Sequence, residues 1–116
     1  MHEVSIALGM IEELEKIARE NRATKVLKVN LKIGRLSGIV TDSLMFAFEA
    51  MKHEHPLLLS AEIVINEIPL VYRCNECNHT FETEDMYFPA CPGCESYNLN
   101  IISGEEQHIE NVEVEV

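Results

Sequence analysis

Four cysteines in the second half of the chain form two matched pairs. Cys74 and Cys77 make one C-x2-C motif, and Cys91 and Cys94 make a second, separated from the first by thirteen residues. Two such motifs can direct four thiolates at one point, in the tetrahedral arrangement that Zn2+ takes in structural sites. Because four thiolates fill every position around a tetrahedral ion, the pattern predicts a structural zinc site and argues against catalysis there.

One histidine near these motifs is a candidate for contact with the zinc site. His79 stands two residues after Cys77. Since the four thiolates already complete the coordination of zinc, we predict that His79 is an outer hydrogen-bond partner of a zinc ligand or a surface residue without a metal role.

The first three residues bring a second set of metal-binding groups together. Met1, His2 and Glu3 supply an amine, an imidazole and a carboxylate. The Met1 amine, the His2 backbone nitrogen and His2 Nδ1 can form fused chelate rings, and three nitrogens in one plane suit Ni(II) or Cu(II) better than Zn(II). Glu3 can add a fourth donor or orient the imidazole. By spacing alone, a solvated terminus without a metal explains the same three residues.

Two amphipathic helices are predicted from the periodicity of apolar residues. The first covers residues 4 to about 21 and so begins almost at the amine. The second begins near Thr41, whose hydroxyl is predicted to cap it, with Asp42 in its first turn. Pro56 prevents this helix from continuing further.

Three strands are predicted to accompany these helices. Residues 25–34 alternate between apolar and polar side chains, which is typical of a half-buried strand. The predicted inner face of this strand carries Leu27, Val29, Leu31 and Ile33. A second strand is predicted within residues 61–70, and a third closes the chain at residues 111–116.

Together these elements predict an α+β fold with an insert. Two helices pack on a three-stranded sheet formed by residues 1–69 and 104–116, and residues 70–103 form a zinc-ribbon-like domain. The insert is too short to bury enough apolar surface alone, so zinc is expected to supply folding free energy, ~10 kcal/mol or more in comparable peptides. Its aromatic residues are expected to pack within it: Tyr72, Phe81, Tyr87, Phe88 and Tyr97.

Charge is distributed unevenly along the chain. The net charge is −11, of which residues 1–53 contribute +1 and residues 54–116 contribute −12. An acidic surface repels phosphate groups, so we expect a protein or metal partner and no binding to nucleic acid. No segment approaches the ~20 apolar residues of a membrane span, so we expect a soluble, cytoplasmic protein without a membrane partner.

Three stretches occur in one order along nearly the whole chain. They are MHEVSIA at the start, LKIGRLSGIVTDSLMFAFE in the middle, and the paired C-x2-C motifs followed by IENVEVEV. In this combination the chain resembles the HypA/HybF family of hydrogenase-maturation nickel metallochaperones. The resemblance implies that Met1, His2 and Glu3 bind Ni2+ as a transient cargo. It also implies that the structural Zn2+ is held by Cys74, Cys77, Cys91 and Cys94.

The same resemblance implies partners and one further ligand. Family members work with a nickel-handling maturation GTPase, deliver nickel to the [NiFe]-hydrogenase large-subunit precursor, and in some cases serve urease. An acid after the GRLSG stretch contributes to nickel binding in some relatives, and Asp42 is the nearest equivalent here. Some relatives have a histidine directly after the last zinc cysteine, where this chain has Glu95, so the resemblance does not extend to that position.

Two other functions are compatible with these residues. A zinc-ribbon protein–protein adaptor would bind zinc and no specific nickel. An enzyme with catalytic nickel at the terminus is the least supported function, because no catalytic triad, carboxylate pair or phosphate-binding loop accompanies the candidate ligands. The sequence therefore favours a nickel metallochaperone that is not an enzyme.

Overall fold

The computed structural model describes residues 2–116, which form two α-helices and six strands. Helix α1 spans His2–Glu20 and helix α2 spans Thr41–Met51. The strands are β1 (Lys25–Gly34), β2 (Glu62–Ile68), β3 (Val71–Cys74), β4 (Thr80–Glu82), β5 (Leu99–Ser103) and β6 (Gln107–Glu115). Met1 lies outside the described residues. No helix within residues 2–116 is both long enough and apolar enough to cross a membrane.

The chain divides into two compact units, each built from more than one segment. The first unit contains the residues up to Lys32 together with Ile39–Asn66 and His108–Val116. The second unit contains Ile33–Gly38 and Glu67–Gln107. One three-stranded sheet has the order β2-β1-β6, and the other has the order β4-β3-β5. The α+β class predicted from the sequence, two helices with a three-stranded sheet and a cysteine-bearing insert, is confirmed.

The two helices of the first unit contact each other and form most of its core. Helix α1 begins two residues before its apolar pattern does, so His2 and Glu3 belong to its first turn. Its buried residues are Ala7, Met10, Ile11, Leu14 and Ala18. Helix α2 contributes Leu44, Ala47 and Phe48 to the same core.

Strand β1 lies at the centre of the first sheet, between β2 and β6. Thr24 N–H donates to Glu115 O at one end, and Gly34 N–H donates to Glu106 O at the other. As residue numbers increase along β1, the numbers of their partners in β6 decrease, so the two strands are antiparallel.

The inner face of β1 differs from the prediction at its first position. Val26 is fully buried, whereas Leu27 is 40% exposed. Two residues, Leu27 and Lys28, therefore separate the buried Val26 from the buried Val29, and the two-residue period of a regular strand is interrupted. From Val29 to Ile33 the predicted alternation is present.

The second unit is organised around β3, which pairs antiparallel with both β4 and β5. Tyr72 stands opposite Phe81 in the β3–β4 pair, and their rings stack with centroids 5.9 Å apart. These two aromatic residues do pack within the unit. The expectation for the other three is wrong, because Tyr87, Phe88 and Tyr97 are 77%, 90% and 72% exposed.

Candidate functional site

The four cysteines of the second unit meet in one cluster. Their sulfur atoms all lie within 4.8 Å of one another. Cys74 Sγ is 3.5 Å from Cys94 Sγ, and Cys77 Sγ is 3.6 Å from Cys91 Sγ. Four sulfurs placed about 2.3 Å from one ion at the corners of a tetrahedron are about 3.8 Å apart. The cluster therefore has the dimensions of a four-thiolate metal site.

The first C-x2-C motif forms a tight turn, here called the first knuckle (residues 74–79). Cys74 N–H donates to His79 O over 2.8 Å, and Asn78 N–H donates to Cys74 O over 2.9 Å. The N–H of Glu76 points at Cys74 Sγ from 3.4 Å. The turn needs a left-handed backbone at Asn78, where φ is 62°, and asparagine tolerates this conformation better than most residues.

The second motif repeats these contacts in the second knuckle (residues 91–96). Cys91 N–H donates to Ser96 O over 2.9 Å, and Glu95 N–H donates to Cys91 O over 2.7 Å. The N–H of Gly93 points at Cys91 Sγ from 3.3 Å. Glu95 has φ of 65° and occupies the position of Asn78 in the first knuckle. Two equivalent turns therefore present two sulfurs each to the cluster.

Backbone N–H groups and neighbouring thiols give the cysteines unequal acidities. Hydrogen bonding from the N–H of Cys77, followed by that of Glu76, lowers the pKa of Cys74 to about 7 against the opposing effect of burial. The N–H of Ser96 favours the Cys94 thiolate, but hydrogen bonding with Cys74 and burial outweigh it and raise the pKa of Cys94 to about 12. The Cys74 thiolate therefore forms readily, whereas Cys94 holds its proton.

Cys77 resists ionisation for the same reason. The N–H of His79 lowers the pKa of Cys77, but burial and the hydrogen bond with Cys91 outweigh this effect, so the pKa is raised. Several thiolates at these distances repel one another unless a cation lies among them. A bound cation would offset this repulsion and favour the ionised thiols, so the chemistry of the cluster agrees with its dimensions.

His79 lies beside this cluster. Its ring stacks on Phe81 with an angle of 12° between the planes. Its Cγ also borders, with the sulfurs of Cys77 and Cys91, the space around Gly93. Its contact with a cysteine sulfur is made by the backbone N–H, which favours the Cys77 thiolate.

The start of α1 holds the second group of candidate ligands. The His2 side chain is 61% exposed, while that of Glu3 is only 14% exposed, and His2 Nδ1 lies 3.9 Å from Glu3 Oε2. Glu3 Oε2 accepts a hydrogen bond of 3.2 Å from Val40 N–H. This backbone donor lowers the pKa of Glu3, and its own N–H and the charge of His2 add to the effect. Glu3 is thus a positioned carboxylate beside an accessible imidazole.

The hydrogen bond from Val40 also corrects the prediction for the start of α2. The capping position is Val40, with no side-chain cap, and Thr41 is the first helical residue, so the predicted capping role of the Thr41 hydroxyl is wrong. A carboxylate from α1, 37 residues away in sequence, meets the N–H of Val40 instead. Nothing local in the sequence signals this contact. Asp42 follows in the first turn of α2, where its side chain is exposed.

Two further histidines end the α2 region and provide another potential nitrogen pair. His55 Nδ1 lies 3.1 Å from Glu15 Oε2 in a half-buried pair, so His55 is not simply solvated. His53 is exposed. Because Nδ1 of His55 faces Glu15 of α1, a metal ion could reach this ring only through Nε2.

The chain is similar to known proteins in both sequence and fold. A family model described as "Hydrogenase/urease nickel incorporation, metallochaperone, hypA" matches residues 1–114. The chain is 41% identical over 115 residues to a hydrogenase maturation factor HypA of Geobacter metallireducens, covering 99% of this chain and 100% of that protein. It is 30% identical over 116 residues to the HypA of Helicobacter hepaticus, covering 100% of this chain and 98% of that protein.

Two solved structures are similar over nearly their whole length. One is a solution structure of the Ni metallochaperone HypA from Helicobacter pylori, with a TM-score of 0.68, 26% identity and 97% coverage of each chain. The other is a solution structure of a HypA protein, with a TM-score of 0.73, 28% identity, and coverage of 98% of this chain and 96% of that one. Sequence, fold and the cysteine cluster agree, which confirms the resemblance seen in the sequence. The chain belongs to the HypA family of nickel metallochaperones for hydrogenase maturation, which are maturation factors and not enzymes.

Proposed function

We propose that the start of α1 is the nickel-binding site of this metallochaperone. In this proposal Ni(II) is bound by the Met1 amine, the backbone nitrogen and Nδ1 of His2, and Glu3. The observation that carries the proposal is the Glu3 carboxylate, which Val40 N–H holds 3.9 Å from the exposed His2 ring. Metal-binding histidines are commonly oriented by a neighbouring carboxylate, and Glu3 is placed to orient the His2 imidazole in this way.

The position of these residues in a helix is compatible with metal binding through the backbone. The first four N–H groups of an α-helix have no partner within the helix, and His2 is the first described residue of α1. Its amide can therefore lose its proton to a metal without breaking a helical hydrogen bond. A cation at a helix N-terminus is opposed by the helix dipole, and the charges of the amide and Glu3 offset this effect.

Asp42 is a proposed additional contributor to nickel binding. It stands two residues after Val40, the residue that holds Glu3, and its side chain is exposed. Val4 and Asp42 line the same groove of the first unit. Asp42 can thus approach a metal at the start of α1 from the second helix. Asp42→Asn is expected to weaken nickel binding less than His2→Ala does.

We assign the cysteine cluster to structural zinc. The four sulfurs have tetrahedral spacing, and thiolates in this number leave no coordination position for a substrate. Zinc would complete the ionisation of the thiols and hold the two knuckles together. In this proposal the first unit binds nickel, which is released as cargo. The second unit binds zinc, which stays as a permanent part of the fold.

The destination of the nickel follows from the family. We propose that the protein works in the cytoplasm with a nickel-handling maturation GTPase and delivers nickel to the [NiFe]-hydrogenase large-subunit precursor. Delivery to urease is a second destination, supported by the description of the family model. A site built on the exposed side chain of His2 suits transfer, since protonation or a competing ligand can dismantle it.

The proposed nickel site is tested by changing the chain start. One extra residue before Met1 moves the amine away from His2, and His2→Ala removes the imidazole, so each change should abolish specific nickel binding in calorimetric titrations. Zinc content and far-UV helicity should stay unchanged. Asn21→Ala, at the other end of α1, serves as the matched control. Full nickel binding by the extended protein would refute the proposed ligand set.

Spectroscopy gives an independent test of the same ligand set. A planar, nitrogen-rich Ni(II) site should show the d–d absorption of a low-spin ion, and this absorption should fade as the pH falls and the nitrogens regain protons. If titration of the protein with nickel instead gives the spectrum of a high-spin, six-coordinate Ni(II) ion, the backbone amide is not a ligand.

An adaptor that binds zinc but no specific nickel is the second candidate function. It is favoured by the exposed aromatic residues and the acidic charge of the second unit. A nickel titration of protein with an unmodified chain start separates the two functions, because the adaptor would take up nickel only when zinc is displaced.

Nucleic acid is not expected among the partners. Residues 54–116 carry a net charge of −12, and four zinc-bound thiolates would add to it. Phosphate backbones are bound through arrays of lysine and arginine, which this part of the chain lacks. Fluorescence anisotropy with labelled DNA and RNA oligonucleotides should show no salt-dependent binding at physiological ionic strength. Micromolar binding that weakens with salt would contradict this prediction.

A further inference from the structure

The second unit exposes three aromatic rings and a methionine in one place. This aromatic patch consists of Met86, Tyr87, Phe88 and Tyr97, each between 44% and 90% exposed. The four side chains line a shallow groove of about 340 Å3 whose other walls include Tyr72. Tyrosine, phenylalanine and methionine are enriched where proteins bind one another, and contiguous exposed apolar surface often marks such a site.

The loop that carries the patch is ordered by its own side chains. Asp85 N–H donates to Thr83 Oγ1 over 3.0 Å, and Tyr87 N–H donates to Asp85 Oδ1 over 2.8 Å. Phe88 has a φ of 49°, a left-handed conformation that is costly for a residue with a bulky side chain. Because the Phe88 ring is 90% exposed, packing within the unit does not explain why a phenylalanine occupies this strained position.

The charge around the patch indicates what it binds. The second unit contains eight acidic residues and two arginines, a net charge of −6. Asp85 directly precedes the patch and Glu95 lies two residues before Tyr97, whereas the charge of Glu84 is paired with Arg35. Both arginines are already engaged, Arg35 with Glu84 and Arg73 with the side chain of Asn78. Exposed aromatic rings beside carboxylates form a surface that favours a cation with a flat face, because such a cation can stack on the rings and pair with the carboxylates.

We infer that the aromatic patch is a docking site for an arginine-bearing segment of a partner protein. A guanidinium group stacks on tyrosine and phenylalanine rings while its N–H groups pair with nearby carboxylates. Lysine offers the charge without the planar surface. A second copy of this chain is a poor occupant, because it would bring another net charge of −6 against the first. The inference does not depend on where nickel binds.

The docking site is tested with peptides on the full-length, zinc-loaded protein. The probes are Gly-Arg-Gly-Arg-Gly-Arg-Gly, the matched lysine peptide and the matched glutamate peptide, each followed by 15N NMR. The arginine peptide should shift the amide signals of residues 86–88 and 97 and bind about three- to fivefold more tightly than the lysine peptide. The glutamate peptide should not bind.

Phe88→Gly separates docking from a structural role. Glycine adopts a positive φ without strain, so this variant should keep its zinc and melt no lower than the parent while losing about three- to fivefold in affinity for the arginine peptide. Asp85→Asn keeps the acceptor for Tyr87 N–H and should weaken binding by removing charge. Phe46→Ala, which removes a 76% exposed ring from the first unit, is the matched control and should bind normally.

Three outcomes would overturn the inference. Equal affinity for arginine and lysine peptides, with shifts spread over all acidic residues, would indicate charge attraction alone. Unchanged binding by Phe88→Gly would show that the rings are not used. Concentration-dependent self-association through residues 86–88, without an effect of the arginine peptide, would identify a second copy of the chain as the occupant.

Discussion

Asn78 and Glu95 occupy equivalent places in the two knuckles, but they suit that place unequally. Both have a left-handed backbone, with φ of 62° and 65°. Asparagine adopts this conformation readily, because its short side chain can form a hydrogen bond with the nearby backbone. Glutamate gains no such bond to offset the steric cost of its Cβ. Glu95 also brings a negative charge next to Cys94. We therefore expect the second knuckle to be the less stable of the two.

Replacing Glu95 tests this difference. We expect Glu95→Asn to stabilise the zinc-bound second unit by about 0.5–1 kcal/mol, equivalent to a two- to fivefold gain in zinc affinity. Glu95→Gln removes the charge but keeps the unfavourable backbone, so its gain should be smaller. Competition with a chromophoric chelator measures both affinities. If the glutamine and asparagine variants gain equally, the charge and not the backbone is the cause.

The acidities of the cysteines predict how zinc binding depends on pH. The pKa of Cys74 is lowered to about 7, and the pKa of Cys94 is raised to about 12. Before zinc binds at pH 7, Cys94 and Cys77 therefore carry their protons and Cys74 is partly ionised. Zinc must displace these protons, so its affinity should fall as the pH falls. Calorimetry in buffers of different ionisation enthalpy should detect the release of at least about two protons per zinc.

Two close approaches between backbone segments fix the position of the end of β1. Gly34 N–H donates to Glu106 O, and Leu36 N–H donates to Gly104 O, each over 2.7 Å. A Cβ on Gly34 would collide with backbone atoms of Gly104 and Glu105, which have no alternative rotamer to adopt. A side chain is therefore excluded at Gly34 by the neighbouring chain and not by its own torsion angles.

Gly34→Ala and Gly9→Ala should have opposite effects on stability. The first forces two backbone segments apart and should destabilise the protein by about 1–3 kcal/mol. The second places a methyl group in open space within α1, where alanine favours the helix by about 0.5–1 kcal/mol. Chemical denaturation of the zinc-loaded variants measures both changes. A neutral Gly34→Ala would mean that residues 104–105 move aside at little cost.

The elements also show what periodicity can and cannot predict. Helices α1 and α2 and the sheet containing β1 were predictable, because burial of one face imposes a regular spacing on the apolar residues. The bond between Glu3 and Val40 was not, because it joins residues 37 positions apart and depends on how the helices pack. The cysteine cluster was predictable from spacing alone. The exposure of Phe88 was not, since aromatic residues in a small insert are normally buried.

Removal of zinc should affect one part of the chain more than the rest. Residues 70–103 are predicted to depend on zinc, and residues 1–69 with 104–116 to keep a core of their own. Cys94→Ser or chelation should make residues 70–103 sensitive to protease while far-UV helicity is retained, because both helices lie outside that range. Early cleavage within α1 or a parallel loss of helicity would contradict the predicted boundaries.

The second unit is discontinuous, and this limits how the molecule can be taken apart. It consists of Ile33–Gly38 and Glu67–Gln107, so the chain passes between the units several times. A fragment covering residues 67–107 would carry all four cysteines but would leave the carbonyls of Gly104 and Glu106 without the N–H groups of Leu36 and Gly34. The second unit, which carries the cysteine cluster, therefore cannot be exchanged between proteins as one continuous segment. Its transfer to another protein would require both segments, Ile33–Gly38 and Glu67–Gln107, to be grafted together so that these hydrogen bonds can form.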